Sequence, residues 1–182
     1  MRYSALMRSR LQKIAYDHAM LYDYAVGALA RRMRTVAELK RLLRTKVANQ
    51  DDGDSLVEGV VEKLKEQKFL NDTQYASSYS ALRKENEKFG RRRVVSDLKA
   101  KGVHGDIIEK AVGTAYDDVN EEELARNYLR RKRLEKPENQ KEAARVFRAL
   151  VRAGFGTRTI MAILKRWDVD EETLGTLEDV AE

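Results

Sequence analysis

A repeat close to fifty residues long constrains this chain more than any other feature. The stretch from Gly90 to Ala115, GRRRVVSDLKAKGVHGDIIEKAVGTA, reads as two helices around a tight corner. Val94, Val95, Leu98 and Val103 form one apolar set, Ile107, Ile108, Ala111 and Val112 form another, and Gly102 to Gly105 interrupts the run. The pattern returns between Glu142 and Trp167, where Phe147, Leu150, Gly154, Phe155 and Ile160 follow Val95, Leu98, Gly102, Val103 and Ile108 by 52 positions. Upstream, Leu39, Leu42 and Leu43 followed by Val57, Val60, Val61 and Leu64 keep the rhythm across a longer connector. Helix starts echo one another as well, with Tyr24-Ala25, Tyr75-Ala76 and Leu124-Ala125 separated by 51 and 49 residues. Such a period marks an array of supersecondary units, each too small to bury a core alone.

The units are helical. One proline and ten glycines leave few breaks, the residues between them are strong helix formers, and sustained apolar-polar alternation is missing. A helix over about 18–33 ends at Arg31, Arg32 and Arg34, and Thr35 with Glu38 makes a capping box for the next. Ala48 to Asp54 is a turn or loop, and a third helix runs from about Ser55 to Gln67, closing with Phe69 and Leu70. Asn71 or Asp72 caps the helix carrying Tyr75, Ala76, Tyr79 and Leu82, and Lys84 to Gly90 is a connector. Asp106 with Glu109, Asn120 with Glu123 and Asn139 with Glu142 are further capping pairs. Gly154 ends one helix and Thr157 starts another, whose buried candidates include Ile160, Ile163, Leu164 and Trp167. Whether residues 1–34 form one helix or two is left open by the spacing. The divisions expected are 1–70 for an N-terminal segment with the first three-helix repeat, 71–119 for the second, 120–167 for the third, and 168–182 for an acidic tail with at most a short turn near Glu171 to Leu174.

Charge points to an anionic partner. The total is +6, but Asp168 to the end holds seven acidic residues and no basic one, so residues 1–167 carry +13. Nucleic acid and an acidic protein surface both fit such a body. Three arginine clusters stand out: Arg31, Arg32 and Arg34; Arg91, Arg92 and Arg93; and Arg126, Arg130 and Arg133, which recur at four and three residues. The middle cluster opens a helix, where cations oppose the helix dipole, and that placement speaks for an external anion. A solvated charged face is the competing reading. Among the aromatics, core packing accounts for most, and Tyr128, flanked by Asn127 and Arg130, is the candidate for base stacking.

Other chemistries find little support. Cysteine is absent, which excludes disulfides and thiolate metal sites. His18 and His104 lack acidic neighbours at ligand spacing, no nucleophile with an orienting partner is specified, and nucleotide-binding glycine motifs are missing. Asp51, Asp52 and Asp54 lack the spacing of a calcium loop. The expectation is a protein without catalytic residues, metal or cofactor. No apolar run reaches transmembrane length and no secretory pattern opens the chain, so a cytoplasmic protein without membrane contact is expected.

The corner Phe69-Leu70-Asn71-Asp72, the Tyr75-Ala76 helix start, the Gly90-Arg91-Arg92 helix and the Lys101-Gly102-Val103 turn occur together in an order that resembles the bacterial RecX family of recombinase regulators. The resemblance covers about residues 20–167. It implies an all-α protein of tandem three-helix repeats forming an elongated, bent array with a basic concave side. It also implies a monomer that binds the RecA recombinase filament on single- or double-stranded DNA without sequence specificity. Strand exchange, the coprotease role and ATP hydrolysis by RecA would be restrained, in the setting of DNA repair, recombination and the SOS response. The face formed by the three arginine clusters would carry that contact. Lys68 departs from the family pattern, which commonly has glycine there, and the first connector, Ala48 to Asp54, is long. A stand-alone DNA-binding helical protein and a helical scaffold are the alternative readings.

Overall fold

The computed structural model describes residues 15–179, and all regular structure among them is helical. Leu11, Ile14 and the question of a helix before residue 15 fall outside the described residues. The chain divides into two compact units, Met1–Asn71 and Asp72–Glu182. In the first are α1 (His18–Arg31), α2 (Val36–Val47) and α3 (Gly53–Glu66). The second holds α4 (Asp72–Leu82), a π-helical turn Arg83–Glu87, α5 (Arg91–Ala100) and α6 (Gly105–Tyr116). It continues with α7 (Glu121–Lys132), α8 (Gln140–Ala153), α9 (Thr157–Arg166) and α10 (Glu171–Asp179). Helices α1–α3, α4–α6 and α7–α9 are three tandem three-helix repeats. Each has its own apolar cluster, and the recurring alanine of each first helix, Ala25, Ala76 and Ala125, is fully buried in it.

Local chemistry sets most of the helix starts. Thr35 and Glu38 form the reciprocal capping box, Thr35 Oγ1 accepting from Glu38 N at 3.0 Å and Glu38 Oε2 accepting from Thr35 N at 3.3 Å. Asn120 and Asn139 cap α7 and α8 by accepting from the amides of Glu123 and Glu142, each at 3.0 Å. The expected box at Asp106 does not form. The helix begins at Gly105, His104 takes the N-cap position without a side-chain bond, and Asp106 lies inside the first turn. Helix α3 likewise starts two residues before Ser55, at Gly53, packed so closely on Val47 that an added Cβ would sit 2.7 Å from the Val47 carbonyl oxygen.

Five helix ends follow one rule. Phe69, Val103, Leu134, Phe155 and Val169 each donate an amide back to the residue five earlier, at 3.0–3.2 Å, after a residue of positive φ. That is the Schellman arrangement, with an apolar residue just past the turn. Gly102 (φ 76) and Gly154 (φ 88) serve two of these ends, whereas Lys68 (φ 61), Arg133 (φ 53) and Asp168 (φ 55) serve the others. Lys68 therefore occupies a backbone conformation that suits glycine, and it does so with its side chain exposed.

Two segments differ from expectation. Lys84 to Gly90 is no simple connector, because a π turn prolongs α4 before Lys88 (φ 56) reverses the chain. The turn sets the Arg83 guanidinium 4.8 Å from the Tyr79 ring centroid and lets Lys84 Nζ donate to the Ala115 carbonyl at 2.9 Å. The acidic tail is also more ordered than its composition implies. Asp170 Oδ1 accepts from Thr173 N at 2.7 Å, and α10 inserts Leu174 and Leu177 into the third apolar cluster. Those amide and hydroxyl donors hold the Asp170 carboxyl below its ordinary range.

Backbone contacts, with side-chain packing around them, join repeats two and three. Gly90 N donates to Ala153 O at 2.8 Å and Arg92 N to Gly154 O at 3.3 Å, so the start of α5 rests on the end of α8. A Cβ at Gly90 would meet Gly154 O at 2.4 Å, and one at Gly154 would meet Arg93 N at 2.2 Å. Phe89 and Tyr116 then pack against both clusters, with the Tyr116 hydroxyl donating to Phe89 O at 2.8 Å. Burial raises the Tyr116 hydroxyl pKa well above the usual range, with the nearby Glu85 charge adding to it.

Gly90→Ala and Gly154→Ala should each lower the unfolding free energy by at least about 2 kcal/mol, since backbone atoms cannot step aside. Gly113→Ala, in open space within α6, should raise it by about 0.5–1 kcal/mol. Urea unfolding of the three variants measures the contrast. Lys68→Gly should stabilise by about 1 kcal/mol through relief of the left-handed backbone, read by the same titration.

Candidate polyanion-binding surface

The arginines at the start of α5 occupy the junction just described. Arg91, Arg92 and Arg93 are all exposed. Arg93 Nε pairs with Asp97 Oδ1 at 3.0 Å, and Asp97 Oδ2 accepts from the Tyr79 hydroxyl at 3.0 Å. Burial and that carboxylate push the Tyr79 hydroxyl pKa up, against the lowering effect of Arg83. Arg83 and Arg93 both lie near the Phe89 ring, at 5.9 and 5.7 Å from its centroid. Arg92 reaches over Gly156, and Arg91 and Arg92 make no ion pair among the described residues.

Their position is less anomalous than the sequence implies. The carbonyl end of α8, the negative pole of its dipole, lies against the amide end of α5 and offsets the field that would disfavour cations there. An external anion is not needed to explain three arginines at a helix start. What remains informative is that two of the three are exposed and unpaired.

In the third repeat, Arg126 and Arg130 line a groove of about 650 Å3 between α7 and α9, where Arg166 and Trp167 join them. Arg133 is not among the lining residues, because the helix ends at Lys132 and Arg133 takes the left-handed cap conformation. Arg166 and Trp167 belong to this site although the α7 periodicity gave no sign of them. The signal available was the pair of cation and aromatic at the C-terminal end of α9.

The first repeat shows a different pattern. Lys40 and Arg44 on α2 face Asp54 and Glu58 on α3, with Lys40–Glu58 at 2.5 Å, Arg44–Asp54 at 2.8 Å and Arg44–Glu58 at 3.6 Å. The Asp54 hydrogen bond and charge raise the Arg44 pKa further above its ordinary value. Arg32 lies 3.9 Å from Glu38, Arg34 Nε donates to Ala28 O at 3.4 Å, and Arg31 is exposed at the end of α1.

Tyr128 is corrected from stacking candidate to core residue. Only 7% of it is exposed, and its ring packs edge-on to Phe155 at 5.9 Å and tilted against Phe89 at 6.3 Å. Those rings occupy the space a base would need, and burial raises the hydroxyl pKa despite the opposing charges of Arg152 and Arg93. Phe69 moves the other way. Expected with the other aromatics on an apolar face, it is 60% exposed, whereas Val103 and Phe155, which close their helices with the same backbone bond, are buried. No cluster of three or more His, Cys, Asp or Glu suited to a metal occurs among the described residues, and none of their helices is long and apolar enough to cross a membrane.

These features define a tandem three-helix repeat protein with exposed arginines on its helix ends. The family model for the second three-helix domain of RecX matches residues 71–112. A regulatory protein RecX of Myxococcus xanthus is 33% identical over 152 residues, covering 74% of this chain and 79% of that protein. Its counterpart in Bacillus pumilus is 30% identical over 153 residues, which is 83% of this chain and 57% of the relative. The crystal structure of RecX from Lactobacillus salivarius has the same fold, with a TM-score of 0.62 at 22% identity over 83% of this chain and 96% of that one. The chain belongs to the RecX family of regulatory proteins. It spans between 57% and 63% of the length of the Bacillus and Geobacillus relatives.

Replacing Arg91 and Arg92 together by glutamine should leave the melting temperature unchanged while the protein elutes from heparin at lower salt. Arg44→Gln should leave the elution salt nearly unchanged, since Asp54 and Glu58 already neutralise that cation.

Proposed function

We propose that this chain binds the RecA recombinase filament on DNA and restrains its strand exchange, coprotease role and ATP hydrolysis. Membership of a family of regulatory proteins carries the reading, and the unpaired, exposed Arg91 and Arg92 supply the means to engage a polyanion. The mechanism is steric and electrostatic. A cytoplasmic monomer lays its repeats against the filament, touches more than one point along it, and so obstructs the duplex or alters filament turnover. Contacts made by several repeats raise the effective affinity above that of any one. The arginine faces of all three repeats, Arg31, Arg32 and Arg34 in the first, Arg91 to Arg93 in the second and Arg126, Arg130 and Arg133 in the third, are the proposed contact.

DNA contact in this reading is directed at phosphates and blind to sequence. The exposed side chains at the start of α6 are His104, Asp106, Glu109 and Lys110, and two carboxylates on one helix face are poor material for reading base edges in a groove.

Added to preassembled RecA on single-stranded DNA, the protein should depress ATP hydrolysis in proportion to occupancy. Changing Arg91 and Arg92 to glutamate should weaken that effect by about tenfold or more, with far-ultraviolet circular dichroism unchanged. Unaltered hydrolysis, filament lifetime and strand exchange in the presence of excess protein would overturn the reading.

A further inference from the structure

The groove between α7 and α9 combines features that no contact with a flat phosphate surface would require. Arg126 and Arg130 from α7 and Arg166 from α9 line it, together with Trp167, Leu129 and Leu134. Glu122 Oε1 pairs with the Arg166 guanidinium at 2.7 Å and accepts a hydrogen bond from Arg126, so one carboxylate holds two guanidiniums. Each guanidinium has five N–H donors, and Glu122 leaves most of them unused. Arg130 bonds only to the Asn127 amide oxygen among the described residues. Trp167 is half-buried, packed against the third apolar cluster while contributing to the groove. At about 650 Å3 the space lies within the range of small-ligand sites and admits a nucleotide.

We propose that this groove is a subsite for single-stranded nucleic acid, one base stacking on the Trp167 indole while the flanking phosphates bind Arg126, Arg130 and Arg166. It rests on the nucleic-acid contact proposed above and is independent of the filament. Guanidiniums beside an aromatic face are the chemistry of single-strand platforms, because every base has a stacking face and every nucleotide a phosphate. A duplex cannot use the indole, its bases being stacked on one another. An acidic peptide would satisfy the cations but would leave the indole and the leucines without a role. Glu122 acts as a resident anion, keeping the guanidiniums oriented and competing weakly with phosphate.

Trp167 is the only tryptophan of the chain, so its fluorescence reports on this groove alone. Titrating oligo-deoxythymidylate into the full chain should quench that emission, with a midpoint matching the binding curve from anisotropy of a labelled oligonucleotide. Trp167→Phe should bind within about threefold of the parent and Trp167→Ala about tenfold more weakly. Glu122→Gln should bind more tightly, a result that a purely structural ion pair would not give. Should Trp167→Ala lose helicity, Arg130→Ala with Arg166→Ala decides, since both side chains are exposed, Trp167 stays in place, and its quenching should disappear. Normal anisotropy binding without quenching overturns the subsite while leaving DNA contact intact elsewhere. Equal quenching by duplex DNA or by polyglutamate overturns it as well. Absence of oligonucleotide binding by either readout removes the subsite and the direct DNA contact together.

Discussion

The meeting of two glycines, Gly90 and Gly154, governs the second unit. With no side chain on either, the first amides of α5 come within hydrogen-bonding distance of the last carbonyls of α8. The orphan donors of one helix are thereby satisfied by the orphan acceptors of another, and the two dipoles meet head to tail. That contact brings Phe89 and Tyr116 between two apolar clusters and lays Tyr128 beneath both Phe89 and Phe155. Two repeats that could each bury little become one unit whose two apolar clusters are bridged by Phe89 and Tyr116. The arginines at the head of α5 are a consequence of the same contact, because the carbonyl end beside them makes the position tolerable for cations.

Much of the fold was legible because helices are specified locally. The 3.6-residue spacing of Leu39, Leu43 and Val47, or of Val57, Val60, Val61 and Leu64, needs no knowledge of distant residues, and all of these are buried. Thr35 and Glu38, and the two asparagines at 120 and 139, announce helix starts through neighbours three residues on. Gly102 and Gly154 announce ends for the same reason. The illegible parts depended on partners far along the chain. The π turn is tied to Ala115 by Lys84 and to Phe89 by Arg83. Helix α10 was hidden by its acids, since two leucines in a carboxylate-rich stretch give a weak pattern until a core is there to receive them. Lys68, Arg133 and Asp168 end helices in a conformation for which sequence offers no cue once glycine is absent.

The candidate surface was legible in kind but only partly in membership. Spacing groups arginines by helix face, yet it cannot say which of them a neighbouring helix has already neutralised. In the first repeat that neutralisation is extensive for Lys40 and Arg44, whose partners Asp54 and Glu58 come from the next helix. In the third, Arg126 was anticipated with Arg130, while Arg166 and Trp167 enter only because α9 packs on α7. Tyr128 illustrates the opposite error, in which polar neighbours in sequence flank a residue whose own direction is inward.

Carrying Arg91 and Arg92 on the same unit as the α7–α9 groove has an energetic consequence for a polymeric ligand. Both sites lie within Asp72–Glu182, so their separation is set by packing rather than by a linker. A nucleic-acid strand held at one of them presents its next phosphates to the other at a high local concentration, which multiplies affinity without any stronger single contact. Each arginine can then remain individually weak, exchanging phosphates as a filament turns over. Salt would act on every contact at once, because each bound phosphate releases counterions. On the proposed function, a protein built this way would hold a charged polymer firmly in aggregate and loosely at every point, as a regulator that must leave as readily as it binds requires.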